Sequence, residues 1–156
     1  MLKYVDTAIV FSEIPDEVTL AINISGCPNK CKNCHSQYLW KDIGTPLTIT
    51  EVNRLIRDNK GITCVCFMGG DQDPEELKIL ANSISTRSDF PYRIGWYSGQ
   101  YRNPYDYLVF DYIKIGPYIE QLGPLNNRNT NQILYKKENN SYINITPKFW
   151  KNDSDS

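Results

Sequence analysis

No stretch of this chain reaches the ~20 apolar residues that a membrane-spanning helix requires, and no basic-then-apolar leader opens it. The expectation is a cytoplasmic protein with no membrane partner. Excess positive charge is also missing, because 17 lysines and arginines stand against 18 aspartates and glutamates, for a formal net charge of -1. Without a basic footprint, nucleic acid is not expected as a partner. Histidine is represented by His35 alone, and no carboxylate partner for it as a catalytic base is evident in the sequence. Internal repeats and long linkers are absent, so residues 1–150 are read as one domain and 151–156 as a polar, disordered tail.

What the chain does contain is enough apolar material for a core. Of 156 residues, 40% are hydrophobic and 12% aromatic, and a chain of this size buries roughly two-thirds of its unfolded surface. Five cysteines are present. An odd number, with three clustered at metal spacing, argues against a secreted disulfide framework.

Those three lie in Cys27-Pro28-Asn29-Lys30-Cys31-Lys32-Asn33-Cys34. Three thiolates at C-x3-C-x2-C, with no further cysteine until Cys64, suit a [4Fe-4S] cluster in which protein sulfur holds three irons and the fourth stays open. Two plainer readings compete. Positions i, i+4 and i+7 share a helix face, so buried packing is one, although Gly26, Pro28, Asn29 and Asn33 are turn residues. A structural zinc site with His35 as fourth ligand is the other, although Cys34 and His35 would then ligate from adjacent positions. His35 is otherwise read as a hydrogen-bonding neighbour of the cluster, and Lys30 and Lys32 as solvated loop residues.

In chain order, Val18–Ile24 is a β-rich run ending at Ser25-Gly26, which places the cysteine loop just after a strand. Thr50 opens a helical pattern with Val52, Leu55 and Ile56 on one side and Gly61 just past its end. Ile62–Met68 is the next strand; within it Cys64 and Cys66 stand about 7 Å apart, at the outer limit for a disulfide, and are read as buried small residues on one face. Asp73-Pro74-Glu75-Glu76 starts a helix with Asp73 as N-cap, and Leu77, Leu80, Ala81 and Ile84 follow at core spacing. Arg93–Tyr97 and Tyr112–Ile115 are further strands. Gln132–Lys137 and Tyr142–Thr146 read as a hairpin.

The second chemical element is Met68-Gly69-Gly70-Asp71 at the end of the Ile62 strand. Two glycines let backbone approach a ligand closely, and Asp71 suits an ammonium. A cysteine loop after one strand and this turn after the next βαβ strand would stand at the same sheet edge and address one ligand.

Gly26-Cys27, Cys31, Cys34, His35 and Trp40, followed by Met68-Gly69-Gly70-Asp71, resemble the compact radical S-adenosylmethionine enzymes that activate glycyl-radical enzymes. The ending Gly123-Pro124, Arg128 and Asn131-Gln132 is most similar to the activators of anaerobic ribonucleoside-triphosphate reductase. The resemblance implies a [4Fe-4S] cluster on Cys27, Cys31 and Cys34 with S-adenosylmethionine at the open iron. It implies Gly69, Gly70 and Asp71 at the methionine amino group, backbone of Asn33, Cys34 and His35 beside the adenine, and Ser98 near the ribose or carboxylate. Where the family often has an aromatic residue before the third cysteine, this chain has Asn33, which removes side-chain stacking there.

The fold so implied is α/β, a small incomplete (β/α) barrel with a mainly parallel sheet and a C-terminal hairpin. The implied partners are the large subunit of the anaerobic reductase and an external electron donor such as flavodoxin. Activation of another glycyl-radical enzyme, small-molecule radical chemistry, and a zinc-stabilised binding module without catalysis are the alternatives.

Overall fold

A computed structural model describes residues 1–26, 43–86 and 90–150. The chain runs β1 (Lys3–Val10), β2 (Thr19–Ile24), β3 (Thr45–Pro46), α1 (Ile49–Asp58), β4 (Cys64–Met68), α2 (Pro74–Ser85), β5 (Arg93–Tyr97), β6 (Tyr112–Ile115), β7 (Ile133–Glu138) and β8 (Ser141–Asn144). All eight strands lie in one sheet of order β3-β1-β2-β4-β5-β6-β7-β8. The polar tail 151–156 and the cysteine loop lie outside the described residues.

This order corrects the expected barrel. β2, β4, β5 and β6 pair in parallel, but β1 adds antiparallel to the outer side of β2, and β7 to the outer side of β6. With β3 and β8 also antiparallel, four of the seven pairings are antiparallel, so the sheet is mixed and open rather than mainly parallel. Only two α-helices are found among the described residues, and the β5 to β6 crossover carries just a short 3-10 helix, Pro104–Asp106. A (β/α) barrel closes parallel strand on parallel strand. Here both edges of the parallel run are occupied by antiparallel neighbours, and closure has no free edge to use.

The helices form as their sequences direct. Asp73 accepts from the Glu76 amide at 3.1 Å, Pro74 follows it, and Leu77, Leu80, Ala81 and Ile84 are buried. For α1 the cap is Thr48: its hydroxyl accepts from the Glu51 amide at 3.1 Å, and the helix begins at Ile49, one residue before Thr50. The segments read as a hairpin become β7 and β8, with the left-handed pair Asn139 and Asn140 at the turn.

Strand alternation splits the core in two. Leu20, Ile22 and Ile24 of β2, Val65 and Phe67 of β4, and Ile94 and Trp96 of β5 face the helices. Cys64 and Cys66 face the other side, where Ile14 of the β1–β2 connection, Tyr112, Leu125, Leu134 and Ile145 enclose them. Neither cysteine is in a disulfide. That face is closed by Ile14 toward the amino ends of the parallel strands. Toward their carboxyl ends a cavity of about 940 Å³ remains, lined by Phe11, Tyr97, Lys114, Tyr118, Leu125 and Phe149 among others.

Candidate iron–sulfur site

The carboxyl ends of β2, β4 and β5 are neighbours in the sheet, so the segments that leave them meet. β2 runs into Ser25-Gly26 and the cysteine loop. Ser25 is held at both ends: its amide donates to the Lys3 carbonyl at 2.9 Å, and its hydroxyl donates to the Ile43 carbonyl. Ile43 is the first described residue after the loop, so the segment carrying the cysteines leaves and returns at one point on the sheet edge.

Beside it stands the turn after β4. The Gly69 amide donates to the Tyr97 carbonyl at 3.1 Å, and the indole Nε1 of Trp96 donates to the Gly69 carbonyl at 2.7 Å. Gly69 has φ +105°, and a Cβ there would lie 3.1 Å from the Ile24 carbonyl oxygen, so this close approach of β4 to β2 needs glycine. Two residues past Gly70, the Gln72 side-chain amide donates to the Ser25 carbonyl at 2.7 Å. The turn and the entrance of the cysteine loop are thereby tied directly.

Asp71 is buried, and its partners come mainly from the end of β5. One oxygen accepts from the Ser98 hydroxyl and from Arg102 Nη2 at 3.1 Å; the other accepts from the Gly99 amide at 2.8 Å. Ser98 is fully buried, and its hydroxyl also accepts from Arg102 Nε at 3.1 Å. The guanidinium lies over the Trp96 ring, 5.0 Å from its centroid. Of the residues expected at the site, Gly69, Gly70, Asp71 and Ser98 are thus gathered at one edge. Cys27, Cys31, Asn33, Cys34 and His35 lie outside the described residues. Sequence reasoning missed Arg102, Gln72 and the ring nitrogen of Trp96, none of which carries a local motif.

The described part of the chain tests the donor set. Among the described residues no group of three histidine, cysteine or acidic side chains is placed to hold a metal. Burial pushes the Cys64 thiol far above its ordinary range, with the nearby Glu17 carboxylate adding to the effect, and burial raises Cys66 in the same direction. Since the thiolate is the iron ligand, these two are unsuited to the role. That leaves Cys27, Cys31 and Cys34, which lie outside the described residues.

A family model described as 4Fe-4S single cluster domain matches residues 18–101. The chain belongs to the 4Fe-4S single cluster domain family. The match begins at the threshold of β2, spans the cysteine loop, β4, α2 and β5, and ends one residue before Arg102. The family's cofactor is an iron–sulfur cluster, which displaces the zinc reading of the same cysteines. No curated protein and no solved structure matches the chain. Among the described residues, no helix is long and apolar enough to cross a membrane.

Proposed function

We propose that this 4Fe-4S single cluster protein is a radical S-adenosylmethionine enzyme that generates a glycyl radical on a protein partner, the large subunit of anaerobic ribonucleoside-triphosphate reductase. The observation that carries the reading is the hydrogen bond from Gln72, which follows the Gly69-Gly70-Asp71 turn, to Ser25, two residues before the C-x3-C-x2-C segment in sequence.

Cys27, Cys31 and Cys34 would hold the cluster and leave one iron without a protein ligand. A cluster held there would supply the one electron for reductive cleavage of the S–C5′ bond of S-adenosylmethionine, which would give methionine and, with a hydrogen atom taken from a partner glycine, 5′-deoxyadenosine and a glycyl radical on the partner. This chain's own residues bind, orient and exclude water. The Gly69-Gly70 backbone admits the cofactor close to the sheet edge, and Asp71, Ser98 and Arg102 hold that backbone in place. The cavity on the face opposite the helices shares Tyr97 with this edge and mixes aromatic with charged residues in its lining. The electron comes from a separate protein such as a flavodoxin.

The test is anaerobic reconstitution with iron and sulfide, reduction, addition of S-adenosylmethionine, and assay of 5′-deoxyadenosine with and without the reductase. The expected result is 5′-deoxyadenosine together with a glycyl radical signal on the reductase. The nucleoside without that signal would move the proposal to another substrate. None at all, from protein holding a full cluster, would overturn it.

A further inference from the structure

Among the described ion pairs, Asp71–Arg102 is the one in which both side chains are enclosed, at 1% and 14% exposure. An enclosed pair is a poor device for stability alone, because desolvation cancels much of the attraction; its better-attested use is to fix one arrangement among several. Arg102 is equipped for that. Its Nη2 donates to Gln100 Oε1 at 2.9 Å as well as to Asp71, its Nη1 donates to the Tyr107 hydroxyl at 3.2 Å, and Nε reaches Ser98. Its Cζ lies over the Trp96 ring, and Trp96 in turn holds the Gly69 carbonyl. One guanidinium therefore grips the turn from two sides, at Asp71 directly and at Gly69 through the indole.

We propose that Arg102 is the positioning residue of the Gly69-Gly70 turn and sets how tightly the chain holds S-adenosylmethionine. The inference rests on the functional reading above. It follows from geometry that a lysine cannot reproduce: a point charge would still face Asp71 but would lose the fork to Ser98 and Gln100 and the guanidinium's place over the Trp96 ring.

The experiment compares reconstituted wild-type protein with Arg102→Gln, Arg102→Lys and, as a control, Arg93→Gln. Arg93 pairs with Glu17 at 3.1 Å at the opposite end of β5. S-adenosylmethionine affinity is read by equilibrium dialysis, iron content by assay, and 5′-deoxyadenosine formation at saturating cofactor. Arg102→Gln is expected to keep its iron, to bind S-adenosylmethionine about 10–100-fold more weakly, and to recover much of its turnover at saturation. Arg102→Lys should fall between, and Arg93→Gln should bind like wild type. If the Gln variant does not accumulate, the Lys variant decides by the same comparison. Wild-type affinity in the Arg102 variants, or an equal loss in Arg93→Gln, would overturn the proposal.

Failure of the functional reading looks different: wild-type protein with a full cluster would bind no S-adenosylmethionine. Amide exchange then judges the positioning role. The Gly69, Asp73 and Gly99 amides, bonded to Tyr97, Gly70 and Asp71, should exchange faster in Arg102→Gln, and unchanged exchange refutes the role.

Discussion

The side-chain amide of Gln72 and the carbonyl of Ser25 are 2.7 Å apart, and this hydrogen bond joins the segment after β4 to the end of β2, two residues before Cys27 in sequence. Gly26, next in sequence, has φ +73°, and a Cβ there would sit 3.0 Å from Gln72 Nε2. The loop entrance is therefore shaped by Gln72 and favours glycine.

Gln72→Ala should leave the fold intact, at a cost of about 1 kcal/mol for the lost bond, while loosening the loop entrance. Faster bleaching of the cluster in air, with iron per chain normal when handled anaerobically, is the expected outcome. A bleaching rate equal to wild type would show that the entrance is held by Ser25's other contacts alone.

Gly69→Ala is expected to be worse than its size suggests. The new methyl group meets the Ile24 carbonyl and must adopt a backbone angle that L residues avoid, so a destabilisation of about 1–3 kcal/mol is expected. Urea unfolding measures it. A loss under half a kilocalorie, on the order of an ordinary surface substitution, would mean that β4 and β2 separate easily at this end.

The cysteines should divide into two groups. Cys27→Ala, Cys31→Ala and Cys34→Ala are each expected to abolish cluster retention. Cys64→Ala and Cys66→Ala, at buried and protonated sites on the sheet face, should keep full iron and lose roughly 1 kcal/mol of stability for the removed buried atom. Iron and sulfide assays on the five variants check the division, and comparable iron loss in both groups would reject the ligand assignment.

What the sequence disclosed and what it withheld follow the range of the interactions. α2 was legible because Asp73, Pro74 and Glu76 are a cap written within four consecutive residues. β5 and β6 were legible because both of their faces are buried, which leaves an apolar run. β1 was not read, since Lys3–Val10 is half exposed and becomes a strand by pairing with β2. The same long-range pairing, and that of β7 with β6, decides that the sheet stays open, and no local pattern announces either. At the site, the Gly-Gly-Asp turn could be named from its place after a strand. Arg102 could not, because it meets Asp71 from 31 residues away.

Acid should weaken the attachment of α1 to β1. Arg54 donates to Glu51 through Nε at 2.7 Å and Nη2 at 2.9 Å, and the Tyr4 hydroxyl adds a third bond from β1. These bonds, the Arg54 pair first and Tyr4 second, hold the Glu51 carboxyl down at about 2 from an ordinary value of 4.5. The folded chain thus binds this proton more weakly than the unfolded chain. The contribution to stability is complete above 4.5 and is lost as pH falls toward about 2. Arg54 is half exposed, so solvent and salt screen part of the effect. Urea unfolding of the protein without its cluster, measured across that window, should show wild type losing more stability with acid than Glu51→Gln. Tyr4→Phe should retain a smaller acid loss, because Arg54 still holds the carboxylate. Parallel pH profiles for wild type and Glu51→Gln would show that the Tyr4–Glu51–Arg54 cluster contributes nothing to fastening α1 onto β1.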